Sequence, residues 1–139
     1  MRNTPGIAMA MLAFACGPAV GASMSKQDYE AAKERIAAEY QAERQKCGPR
    51  YGNALDLCVA HAHGVRDVAK AELEAAYKPG PRTNYDAAIA RAQSTYAVAK
   101  EECDQKRDLE KKACRKDAKV ALEREKAEAK AIMEKAGAR

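Results

Sequence analysis

Tryptophan is absent from this 139-residue chain and phenylalanine occurs once. That one ring, Phe14, lies in an N-terminal apolar run, so tyrosine is the only aromatic residue beyond it. Leucine is sparse after that run as well, and the larger apolar side chains are scattered: Ile36, Leu55, Leu57, Val68, Leu73, Ile89 and a few others. A chain so poor in bulky groups cannot fill a thick core. No glycine-rich phosphate loop and no serine, histidine and carboxylate arrangement occurs, which removes the usual bases for nucleotide chemistry and triad hydrolysis. We therefore assign no catalytic residue and no cofactor, and expect a protein that is not an enzyme. No apolar run reaches the roughly 20 residues that a membrane-spanning helix needs.

What the chain does have is alanine, with glutamate, lysine and arginine around it. That composition suits long solvated helices meeting through thin, alanine-lined contacts. The first residues read differently. Arg2 is a short positive start, Ile7 to Cys16 an apolar stretch, and Gly17-Pro18 a break. Val20-Gly21-Ala22 then offers small residues for cleavage before Ser23. This is the pattern of a secretory signal, here residues 1–22, and it predicts an exported chain. Cys16 opens an alternative, a lipoprotein anchored through that cysteine, although Ala13-Phe14-Ala15 departs from the Leu or Val usual three residues ahead of it.

A 56-residue shift, which carries Cys47 onto Cys103, also carries Tyr29 onto Tyr85, Tyr40 onto Tyr96 and Cys58 onto Cys114. Arg35 falls on Arg91, and Lys70-Ala71-Glu72 on Lys126-Ala127-Glu128. Alanine matches are cheap in this composition, but two tyrosines and two cysteines in register are not. The chain is read as an internal duplication: repeat 1 over 23–77, a linker over 78–82, and repeat 2 over 83–139.

Each copy reads as two helical arms. Tyr29, Ala32, Ile36, Tyr40 and Cys47 share one stripe at spacings of three and four, and Tyr85, Ala88, Ala92, Tyr96, Ala99 and Cys103 repeat it. Gly48, Pro49 and Gly52 stop the first helix, with Asn53 as the expected N-cap of the next and Asn84 as that of the third. Leu55, Cys58, Ala62, Val65, Ala69, Leu73 and Ala76 form the stripe of the second arm. Lys78-Pro79-Gly80-Pro81-Arg82 separates the copies. The expected fold is all-α: two tandem antiparallel helical hairpins, four helices in all, with coiled-coil-like packing. The stretch from Asp104 to Ala113 lacks Gly, Pro and Asn. The third and fourth helices either turn there with poor turn chemistry or run on as one long helix.

That choice governs the cysteines. Four remain after signal removal, Cys47, Cys58, Cys103 and Cys114, and an even number in an exported chain favours disulfides. On a continuous helix, residues eleven apart lie about 16 Å apart along the axis. A disulfide needs Cα atoms within about 7 Å. Cys47 and Cys58 flank a turn and can close a hairpin. Cys103 and Cys114 can pair only if the chain folds back between them. Pairing within each copy is the preferred reading, and pairing between copies is the alternative.

Three further clusters stand out. Cys58, His61 and His63, near Asp56, are an incomplete metal set: a zinc site would need a reduced thiol and two more ligands, and His61 and His63 point apart on a helix. Lys111, Lys112, Arg115, Lys116 and Lys119 form a basic stretch interrupted by Asp108, Glu110 and Asp117, read as a solvated face or as a weak attractor of anionic lipid or cell-wall polymer. The tyrosines at helical spacing are read as packing, with a partner-binding face as the alternative. An exported chain makes nucleic acid an unexpected partner.

The segments Tyr51-Gly-Asn-Ala-Leu-Asp-Leu-Cys-Val-Ala-His-Ala-His-Gly64, Lys70-Ala-Glu-Leu-Glu-Ala-Ala-Tyr-Lys78, Asn84-Tyr85-Asp86 and Tyr96-Ala-Val-Ala-Lys-Glu-Glu-Cys103 resemble a group of small exported proteins of betaproteobacteria with duplicated, cysteine-bearing helical units. Such proteins are often labelled TolA-like or cell-envelope biogenesis proteins. The resemblance implies a bacterial periplasm, which composition alone does not give, and it carries no established activity. This chain departs from the group in its second turn, where a Gly-Asn pair would be expected. The expectation is a periplasmic helical protein acting by protein or envelope interaction. A periplasmic metal-binding protein and an envelope-anchored lipoprotein spacer are the rivals.

Overall fold

The computed structural model describes residues 23–138; the segment read above as a signal, residues 1–22, and its Cys16 lie outside them. Four helices follow in order: α1 (Lys26–Cys47), α2 (Gly52–Tyr77), α3 (Pro81–Asp104) and α4 (Asp108–Gly137). Among the described residues there is no strand, and the fold is all-α. α3 and α4 are separate helices, so the helix-favouring stretch after Cys103 does turn.

The helix ends show how. Ser25 caps α1, its side chain accepting from the Asp28 backbone N–H at 3.1 Å. α1 stops at Cys47, before Gly48 and Pro49. α2 begins at Gly52 in the left-handed region (φ 54°), preceded by Tyr51, which makes no side-chain cap. Asn53 is therefore not the N-cap expected of it; its side chain crosses to α3 instead. Gly80 precedes α3, and Pro81 fills the first helical position, where a missing N–H costs nothing. Asn84 consequently sits inside the first turn rather than capping it, and the linker shortens to residues 78–80. The Thr83 hydroxyl ties this joint by donating to the carbonyls of Lys78 (2.8 Å) and Gly80 (3.1 Å).

The helices do not close into a bundle. Among the described residues each packs only on its neighbours in the chain, α1 on α2, α2 on α3 and α3 on α4. The result is a single-layer array, the arrangement of a solenoid, in which each unit touches only adjacent units. α2 and α3 must therefore bury two opposite faces each. In α3, Ala92 and Cys103 face α4 while Ala87 lies on the opposite side, toward α2; all three are buried. Alanine makes this possible, because it can sit in a contact on either side without demanding thickness.

Packing is thickest in the first hairpin. Ala32, Ile36 and Leu73 form its core, with Met24, Tyr29 and Ala69 against them. Tyr29 stacks on Tyr77 with ring centroids 4.2 Å apart and donates a hydrogen bond to Glu74. That bond, followed by burial and the Glu74 charge, pushes the Tyr29 hydroxyl up to about 12. Val65 and Ala76, expected on the α2 stripe, lie on its margin and are exposed. The second hairpin has alanines at the matching positions, Ala88, Ala92 and Ala129, and Met133 where the first has Tyr77. An apolar pocket of about 80 Å³, partly open to solvent, lies there, lined by Tyr85, Ala88, Ala129, Ile132 and Met133 among others.

The joint between copies is α2 on α3. Gly64 is buried at the closest approach: a Cβ placed on it would lie 2.0 Å from the Ser94 Oγ and 3.0 Å from the Ser94 Cβ. Arg91 pairs with Glu72 across this joint at 2.7 Å. The Asn53 amide donates to the Glu101 carbonyl at 2.9 Å.

Candidate functional site

The two helical turns carry the cysteines. Cys47 is the last residue of α1, and Cys58 lies nearly two turns into α2, so folding back at Gly48–Tyr51 sets their Cα atoms 5.7 Å apart, bridged by a disulfide. Cys103 and Cys114 repeat this with Cα atoms 5.5 Å apart, also bridged. Cys47 and Cys103 are almost fully buried, at 1% exposure each, and both bridges act as internal staples. Closing so short a loop is worth about 3 kcal/mol in the chain-entropy picture.

The second turn achieves this without Gly or Pro. Asp108 takes the position that Gly52 has in the first copy and adopts the same left-handed backbone, φ 45° against 54°. Aspartate tolerates that region better than most side chains. An ion cluster braces the same turn. Arg115 donates to Asp104 through Nε (2.9 Å) and Nη2 (2.8 Å), and Lys111 lies 3.3 Å from the same carboxylate. Burial pushes the Asp104 carboxyl up, but the hydrogen bonds and charges of Arg115 and Lys111 outweigh it and hold it below the usual value. The brace was legible in principle: residues 104 and 115 each follow a cysteine, so pairing the cysteines pairs them too. Of the basic stretch, Lys111 and Arg115 are thus paired with Asp104 at the turn, Arg115 while still exposed, and Lys112, Lys116 and Lys119 are exposed as well.

The histidine cluster does not assemble. Cys58 is in the disulfide and offers no thiolate. His61 is exposed on one side of the helical layer. His63 lies on the other, its Nε2 3.3 Å from the Tyr40 hydroxyl, with the Arg66 guanidinium 4.5 Å from the centre of the Tyr40 ring. Among the described residues, no group of three or more His, Cys, Asp or Glu is placed to hold a metal ion. Tyr29 and Tyr40 are likewise engaged within the first hairpin, so the tyrosine stripe serves packing there.

The concave feature that sequence spacing did not reveal is a groove of about 750 Å³ at the disulfide end of α1, α2 and α3. α2 forms its floor through Ala54, Leu57, Cys58 and His61. α1 supplies Glu43 and Lys46 on one wall, and α3 supplies Val98 and Glu102 on the other. Arg50 closes the end near the first turn. The floor is apolar and the rim carries both charge signs, with Lys46 and Glu43 paired at 2.5 Å. The Asn53 carboxamide oxygen, also on this groove, is buried without a hydrogen-bond partner. Because the lining comes from three helices, no local motif could have announced it.

No helix among the described residues is long and apolar enough to cross a membrane. Compared with protein-family models, with curated proteins and with solved structures, the chain matches none of them.

Proposed function

We propose that this is a non-enzymatic interaction protein of an oxidising extracytoplasmic compartment, the bacterial periplasm on the resemblance described above, and that it works through the three-helix groove. The groove is the observation that carries this reading. Two disulfides fix the turns beside it, its floor is apolar, and its rim offers both charge signs. Such a surface suits the apolar face of an amphipathic helix of an envelope protein, held along the rim by ion pairs. The basic stretch is a poorer docking site for anionic lipid or wall polymer, since Lys111 and Arg115 are already engaged with Asp104.

A photo-crosslinking residue placed at Ala54 tests this in exporting cells. A discrete envelope protein should be captured there and not from the same label at Ala37 on the exposed side of α1. Leu57→Arg should abolish the capture while leaving the thermal melt of the purified protein unchanged. Equal labelling from both positions, or capture that survives Leu57→Arg, would remove the groove from consideration.

A further inference from the structure

The duplication pairs α2 with α4 and α3 with α1. α2 joins the copies by packing on α3, so the outer face of α4 is the counterpart of the face that α2 lays on α3. The outer face of α1 is likewise the counterpart of the face that α3 offers to α2. Among the described residues both are uncovered, because there α1 touches only α2 and α4 touches only α3. The two ends of the array are the separated halves of a joint the molecule already makes once.

The residues at those ends retain the joint's chemistry. The ion pair across α2–α3 joins Glu72 and Arg91 at 2.7 Å. Its counterparts, Glu128 on α4 and Arg35 on α1, are both present and exposed. The small residues that let α3 approach α2, Ala87 and Ser94, correspond to Ala31 and Ala38 on α1, again exposed. On the other side, Ala71 and Ala75 correspond to Ala127 and Ala131, exposed on α4. A terminal unit that merely ends a solenoid needs a polar outer face. The ends are more polar at some positions, with Lys116 for Ala60 and Glu34 for Ala90, but at two others the change runs the opposite way: Asn53 becomes Leu109, which is 78% exposed, and Gly64 becomes Val120, which is 61% exposed.

We propose that the protein associates with further copies of itself head to tail, α4 of one molecule packing on α1 of the next, so that the array continues across molecules. The contact is heterologous, and its repetition gives a ring or an open oligomer rather than a symmetric dimer. It is looser than the joint within the chain. Val120 cannot approach Ala38 as closely as Gly64 approaches Ser94, where even a Cβ meets the neighbouring Cβ at 3.0 Å. The surface is distinct from the groove, and the association does not depend on what the groove binds.

Sedimentation of the full chain, produced by export so that both disulfides form, tests this over a concentration series at low salt. The average mass should rise with concentration past that of a dimer. Arg35→Glu and Glu128→Arg should each weaken association by about tenfold, through like-charge contact at the joint. Mixing the two variants in equal amounts should restore it, because their altered faces complement each other and each keeps one native face. Val120→Asp should abolish association and leave the melting temperature of the monomer unchanged. A monomer at every concentration overturns the proposal. So does an association that stops at a dimer, ignores either charge reversal, or is not restored by mixing.

Discussion

Ala129→Leu tests whether the two hairpins are variations on one packing scheme. Ala129 is the counterpart of Leu73, which closes the core of the first hairpin, and it borders the partly open apolar pocket of about 80 Å³ between α3 and α4. Enclosed apolar volume costs about 24 cal/mol per Å³, so about 2 kcal/mol is the upper bound on what filling this pocket gains. A buried leucine loses about 0.5–1 kcal/mol of side-chain entropy that alanine does not. Helix propensity hardly differs between the two residues. The expected net gain is up to about 1 kcal/mol, or up to about 4 °C in melting temperature for a chain of this size. Urea and thermal unfolding followed by far-UV circular dichroism, with both disulfides intact, would measure it. The denaturant slope should stay the same, since the surface exposed on unfolding barely changes. Ala37→Leu, on the exposed side of α1, serves as the control and should fall within about 0.5 kcal/mol of the parent. A loss of 1 kcal/mol or more for Ala129→Leu would refute the reasoning. It would mean that α3 and α4 have closed onto their alanines and that the second hairpin follows a tighter scheme of its own.

Replacing Cys103 and Cys114 together by alanine should cost about 3 kcal/mol in urea unfolding, and a loss below 1 kcal/mol would show that the ion brace alone holds the second turn. Gly64→Leu should destabilise by about 2–4 kcal/mol in the same assay, because a branched side chain cannot fit against Ser94 without parting the copies; a neutral result would contradict the close α2–α3 approach. The Tyr29 hydroxyl is raised to about 12, so its contribution is complete below its ordinary value near 10 and is lost as pH climbs through 12. Tyr29→Phe should flatten that alkaline loss in a pH series of melting temperatures. Asp104 is held low, so its contribution is present above the ordinary carboxylate value and is lost as pH falls through its own. Asp104→Asn should flatten the acid limb, and an unchanged acid limb would count against the brace.

The hairpins were legible because bulky residues mark them. Tyr29, Ile36 and Tyr40 lie on a stripe that leads to Cys47, and a bulky residue at helical spacing says which way a helix faces. The open array was not legible, because it depends on α2 and α3 burying a second face made largely of alanine. Ala87 is buried and its counterpart Ala31 is exposed, yet the two have nearly the same sequence surroundings. Only the presence of a neighbouring helix separates them. The asparagine caps failed for a local reason. At each predicted start the chain had a stronger device one or three residues earlier: left-handed Gly52 before Asn53, and Pro81 before Asn84. The divergence of His61 and His63 was legible, since helical geometry sends residues two apart to opposite sides, which here are opposite sides of the whole layer.

The two turns, related by the 56-residue shift, reach one backbone shape with different residues. Gly52 and Asp108 share a left-handed backbone although their residues differ. Without glycine that conformation costs about 1 kcal/mol or more. In the first turn, Gly48, Pro49 and Gly52 make the reversal locally favourable, and the disulfide closes a loop that is already inclined to form. In the second, the intervening residues favour helix, and the reversal is held from outside by Cys103–Cys114 and by Asp104 with Arg115 and Lys111. Reduction therefore acts unequally on the two copies. It removes a reinforcement from the first hairpin but, at the second turn, one of the two restraints that tie the turn itself, and the other weakens with salt and acid. The joint between α3 and α4 is accordingly the part of the array whose geometry depends most on an oxidising surrounding.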